Sequence, residues 1–177
     1  MKRNVIVCGL ISGFILAAFM LVVTAMCYKN EDFQSSMVLG YASMILAFSL
    51  IFVGIKNFRD KFNNEYITFS KAFTIGLYIT LIGSTIYVIA WVIDYYLFIP
   101  DFMDKYTAHV LREAKEAGAD SIEMNIKTAE MLNYKEMYKN PFLVLLFTYL
   151  EVVPIGLIVS VISAVILRTK SNRQIPV

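Results

Sequence analysis

The sequence is poor in the groups that most enzymes and metal sites need. It has one histidine, two cysteines and one tryptophan, and it contains no nucleophile paired with a base, no metal-ligand cluster and no glycine-rich phosphate loop. His109 has no second ligand at metal spacing, so no metal or other cofactor is expected, and neither is catalysis. Cys8 and Cys27 fall on one apolar stretch, about 28 Å apart at the helical rise, and cannot bridge each other. A net charge of +2, with its basic residues dispersed, gives no footprint for nucleic acid.

Charge is scarce as well: only 17% of residues are charged, against 58% hydrophobic, which is outside the range of ordinary soluble domains. The runs that lack charge are long. Val5–Tyr28, Phe33–Ile55 and Ala72–Ile93 contain no ionisable Asp, Glu, Lys, Arg or His, and Pro141–Leu167 contains one, Glu151. A hydrocarbon core of about 30 Å needs about 20 apolar residues in a helix, so each run is long enough to cross with some tilt. Strict alternation is absent, which excludes a barrel and leaves helices as the way to satisfy the backbone in lipid. The expected fold is therefore all-α and polytopic, a single membrane domain over 1–177 with spans at about 5–28, 34–55, 69–97 and 141–167. The first apolar run is too long for a usual signal-peptide core and is expected to stay.

Orientation follows from lysine and arginine in the short flanking segments. Lys2 and Arg3 precede the first span, Lys56, Arg59, Lys61 and Lys71 separate the second from the third, and Arg168, Lys170 and Arg173 follow the fourth. Both termini are thus expected in the cytoplasm. The basic loop interleaves Lys56, Arg59 and Lys61 with Phe58, Phe62 and Tyr66, which suits the headgroup level of membrane lipid. Residues 101–140 then form the one sizeable segment on the outer side. Phe102, Tyr106, Val110 and Ala114 recur at helical spacing before Gly118, and Met124, Thr128, Met131, Tyr134 and Tyr138 follow it. That pattern predicts two short amphipathic helices with a turn at Gly118–Asp120, packed over the outer mouth of the bundle or docking an extracytoplasmic protein partner.

Two acids at membrane depth are the candidate site, because a charge there is costly and tends to be retained for use. At 1.5 Å per residue Asp94 comes ~9 Å and Glu151 ~14 Å inside the nearer span end. Gly76, Thr80, Ser84, Tyr87, Trp91 and Asp94 recur every three or four residues and so share one polar face, expected to look inward. Pro154 cannot bond the carbonyl of Leu150, which leaves a free acceptor beside Glu151 and near Thr148. Desolvation favours the neutral acid, so Glu151 is expected to be protonated at neutral pH unless a cation or donor faces it. Small residues at Gly9, Gly13, Gly40, Ser43, Gly54 and Gly76 are expected to permit close helix packing, either inside one bundle or between copies in a homo-oligomer.

The run Phe52-Val53-Gly54-Ile55-Lys56-Asn57-Phe58-Arg59-Asp60, followed by Phe69-Ser70-Lys71-Ala72-Phe73, resembles a family of small four-span bacterial membrane proteins known only as a domain of unknown function. Ile11-Ser12-Gly13, Gly40-Tyr41-Ala42-Ser43-Met44, Tyr87-x-x-x-Trp91 and Glu151-x-x-Pro154-x-Gly156 fit the same pattern. The chain has Asn63-Asn64-Glu65 where that pattern leads one to expect a glycine-containing turn. The resemblance implies the four-span topology and a bacterial inner membrane, and it transfers no activity. Two functions are consistent with the residues: a noncatalytic scaffold or modulator acting through partners, or a small proton- or cation-linked transporter using Glu151 and Asp94.

Overall fold

A computed structural model describes the backbone of residues 2–30 and 33–169, and the side chains of 2–29 and 38–169. Lys170 and Arg173, which entered the orientation argument, lie outside the described residues. Among the described residues the fold is six helices and no strand: α1 (Lys2–Asn30), α2 (Phe33–Phe62), α3 (Phe69–Leu97), α4 (Phe102–Glu116), α5 (Ser121–Met137) and α6 (Pro141–Leu167). Helices α1, α2, α3 and α6 are each long and apolar enough to cross a membrane, so the chain is a multi-pass membrane protein by length and composition.

The helix boundaries follow from local chemistry. Thr68 caps α3 by accepting from the Lys71 N–H at 3.3 Å. Asp120 caps α5 with bonds of 2.8 Å from both Ile122 and Glu123 N–H groups, and Asn140 caps α6 from Phe142 N–H at 3.0 Å with Pro141 in the first turn. Gly118 takes φ +84° between α4 and α5, where a side chain would be strained.

One boundary differs from expectation. The stretch read as a basic loop is mostly helix, since α2 continues to Phe62 and carries Lys56, Arg59 and Lys61 on its last turns, while Lys71 already belongs to α3. Two effects prolong the helix. Phe58 is buried and stacks on Phe62, and cations in a last turn complement the helix dipole. The remaining link is tight, and its Asn64 and Glu65 stand at φ 49° and 60°. Both are therefore left-handed without being glycine, at the place where the family pattern led one to expect a glycine-containing turn. Glu65→Gly is expected to raise stability by about 0.5–1 kcal/mol, the released strain exceeding the added chain entropy. Thermal unfolding in detergent checks this, and an unchanged or lowered midpoint would contradict it.

The spans form a ring in which α3 packs along α1 and α6, α2 packs along the same two, and α2 meets α3 across the middle. Phe48, Ile51, Ile55, Ile75, Ile79, Val88 and Val152 fill the centre and are wholly buried. Lipid is as apolar as these side chains, so association rests on close packing and on polar contacts between helices. Ser12 donates to the Ala47 carbonyl at 3.1 Å, Asn4 donates to that of Gly54 at 2.7 Å, and the hydroxyls of Thr80 and Ser160 meet at 3.2 Å. At the end bearing the α2–α3 link, Thr169 N–H donates to the Ile67 carbonyl at 2.9 Å and Ile67 N–H returns a bond to Thr169 Oγ1 at 3.1 Å, tying the end of α6 to that link.

Candidate ligand chamber under the α4–α5 pair

The end of the bundle away from the α2–α3 link is not filled. It holds a half-open chamber of about 520 Å³ to which all six helices or their flanking turns contribute. Met20, Val23, Thr24 and Cys27 come from α1, and Gly40, Tyr41, Ser43 and Met44 from α2. Tyr87 and Trp91 come from α3, and Phe147, Thr148 and Glu151 from α6. The cover is the helical pair: α4 turns Phe102, Met103 and Tyr106 inward, and Met131, Tyr134 and Tyr138 do the same from α5 and its exit. Of the expected amphipathic stripe, Phe102, Tyr106, Met131, Tyr134 and Tyr138 therefore face the bundle mouth.

Several of the candidate residues converge here. Glu151, Thr148, Tyr87 and Trp91 share the chamber wall. Thr148 satisfies its own hydroxyl on the Val144 carbonyl at 2.8 Å. Glu151 keeps an exposed side chain and accepts no hydrogen bond among the described residues. It is the one carboxyl in the described wall, and no Lys, Arg or His lines that wall with it. Tyr87 and Tyr138 are both within electrostatic reach of Glu151.

The rest of the expected polar site is elsewhere. Asp94 lies on the same helix face as Trp91 and is buried, but it does not line the chamber. The chamber therefore takes Glu151 without Asp94: of the polar face expected on α3, only Tyr87 and Trp91 reach its wall. Pro154 is exposed and also outside the wall. Ser84 is wholly buried, and its hydroxyl has no partner among the described residues. Lys56, Arg59, Lys61 and Lys71 belong to the opposite end.

The small residues divide in the same way. A Cβ at Gly9 would meet Ile82 at 2.8 Å, one at Gly13 would meet Ile86 at 2.6 Å, and one at Gly54 would meet Ile79 at 2.6 Å. Gly76 lets Ser160 approach, with 2.7 Å left for a Cβ. These glycines permit close contacts within the chain, which is the packing role expected of them. Gly40 departs from expectation: nothing among the described residues lies within 4 Å of where its Cβ would be. It lines the chamber instead of a helix contact, and Ser43, one turn on, bonds the Gly40 carbonyl at 2.7 Å.

An aromatic cluster fastens the cover. Trp91 meets Phe102 edge-on at 5.3 Å and lies 6.0 Å from Tyr95. Tyr95 contacts Tyr138 at 5.6 Å, and Tyr138 stacks on Phe147 at 6.2 Å. Beside the chamber the Tyr28 hydroxyl donates to Asp101, which holds that carboxyl below the usual range. Burial pushes Tyr138 up to about 12, so the residue presents a neutral phenol.

Sequence reasoning missed Met20, Met44, Tyr41 and Phe147 as wall residues. On a charge-free span, periodicity does not say which side meets a void. One signal was present: the stripe on α4 and α5 is built from tyrosine and methionine where leucine would serve ordinary packing.

No curated protein and no solved structure matches the chain. A family model covers nearly all of it, from the middle of the first turns of α1 to the strap that joins α6 to the α2–α3 link. On that match to residues 8–169, the chain belongs to the family described as Protein of unknown function (DUF4199).

Proposed function

We propose that this protein is a noncatalytic membrane protein that takes a small ligand into the chamber beneath α4 and α5, with Glu151 as the ionisable group that ligand or proton meets. The chamber with its single carboxyl carries the reading. A lined cavity of about 520 Å³ is within the size that binds drug-like molecules, with few polar groups to orient them. We place the protein in a bacterial inner membrane with both termini cytoplasmic, because Lys2, Arg3, Lys56, Arg59, Lys61, Lys71 and Arg168 gather at one end. The chamber then opens toward the outer leaflet. Transport linked to a proton or cation would use Glu151 without Asp94, which stands apart from the wall. Action through protein partners docked on α4 and α5 has weaker support, since the aromatic and methionine side chains of that pair are turned into the chamber.

Dicyclohexylcarbodiimide, an apolar reagent that adds to a protonated carboxyl, tests the reading on the full chain in detergent. Intact-mass and peptide mass spectrometry should find one adduct at Glu151. Glu151→Gln should abolish it, and Gly40→Phe, which fills the chamber from a position with open space, should suppress it at least about tenfold. Absence of the Glu151 adduct, or an adduct indifferent to Gly40→Phe, would remove the chamber as the working part.

A further inference from the structure

The chemistry of the wall selects among small ligands. Its polar character comes from tyrosine rings, with Tyr41, Tyr87, Tyr106, Tyr134 and Tyr138 joined by Trp91. Aromatic faces carry negative quadrupole potential and attract a cation whose hydration is weak enough to be given up. The one carboxyl, Glu151, adds negative charge, and no basic side chain in the described wall offsets it. Met20, Met44, Met103 and Met131 supply soft surface that adjusts to irregular apolar groups.

An inorganic cation fits poorly. It needs several oxygen ligands, charged ones above all, to replace its water, whereas the described wall offers a single carboxylate, Glu151, among hydroxyls and mostly aromatic and apolar side chains. An anion would meet Glu151 with no compensating base. The chain itself makes the expected contact one residue away from the wall on each side, where Lys105 Nζ lies 3.5 Å from the centre of the Tyr28 ring.

We infer that the chamber binds a monovalent organic cation with apolar substituents, of the quaternary ammonium or phosphonium kind, held by its tyrosine and tryptophan faces and neutralised by Glu151. This rests on the chamber being the working part, and it deepens that reading by naming the ligand class.

Tetraphenylphosphonium and tetraphenylborate have the same shape and opposite charge, so together they isolate the role of charge. Their binding to the purified full chain is measured by equilibrium dialysis against matched detergent. The phosphonium should bind at least about tenfold more tightly than the borate. Glu151→Gln should weaken the phosphonium about 10–100-fold while leaving the borate unchanged or tighter, and Gly40→Phe should weaken the phosphonium with Glu151 intact. Among the described residues Glu151 accepts no hydrogen bond and Gly40 has open space, so neither change should unfold the bundle, and thermal midpoints near that of the wild type verify this. Equal binding of the two ions, or phosphonium binding indifferent to both substitutions, overturns the inference. If no phosphonium binds while the carbodiimide still labels Glu151 through the chamber, the ligand class is wrong and the chamber stands. If both fail, the chamber reading falls with it.

Discussion

Gly13→Leu is expected to keep α1 from docking on α3 and to leave no folded four-helix bundle in detergent. The Cβ that any side chain brings to position 13 would lie 2.6 Å from Ile86 Cδ1 and 2.8 Å from Ile86 Cβ. The second contact matters more, since a Cβ moves only with its backbone. At Gly9 the corresponding approach to Ile82 Cβ is 2.8 Å, so the two helices touch along a full turn and cannot pivot about one point. Even Gly13→Ala should cost about 1–3 kcal/mol, and leucine more. Gly40→Ala is the internal comparison. It meets nothing among the described residues within 4 Å and should be neutral or stabilising by up to about 1 kcal/mol through helix propensity. Thermal unfolding of the three variants decides the matter. Equal midpoints for Gly13→Ala and Gly40→Ala would show that α1 and α3 do not meet as described.

The second large effect is on the cover. Trp91→Ala should loosen α4 by about 2–3 kcal/mol, which corresponds to about 30–150-fold faster amide exchange across Phe102–Glu116. Trp91 is a wall residue of α3 that touches both the chamber and the cover, meeting Phe102 edge-on at 5.3 Å. Its loss removes that contact and enlarges the void beneath α4. Exchange around Ile75 and Ile79 in the packed half of α3 should stay slow, because those side chains are wholly buried away from the chamber. Trp91→Phe should restore most of the protection. Unchanged exchange in α4, or a uniform rise along all of α3, would show that the aromatic cluster does not hold the cover down.

The polar face of α3 shows how far periodicity reaches. Gly76, Thr80, Ser84, Tyr87, Trp91 and Asp94 repeat at helical spacing, and the first four are buried against neighbouring spans along with Asp94. Spacing gave the face. It did not give the depth at which packing stops and the void begins, because that depends on side chains from α1, α2 and α6 that sequence order keeps far apart. Thus Tyr87 and Trp91 line a chamber, Thr80 bonds Ser160 in a packed interior, and Asp94 goes to neither. The same limit explains Gly40 and Gly13. Both are glycines on charge-free spans, yet one borders open space and the other sits against an isoleucine.

The sequence by itself determined that this chain has four helices long and apolar enough to cross lipid, and it marked the α4–α5 pair and its turn at Gly118. Uninterrupted apolar length and capping residues act locally, and backbone groups in hydrocarbon admit few other solutions. Only the tertiary structure decided that Glu151 meets a tyrosine-rich chamber without Asp94, and that Gly9 and Gly13 permit close contacts within the chain. In lipid nearly every apolar face is tolerated, so hydrophobicity does not choose partners. The choice falls to shape, which exists only once the helices are assembled.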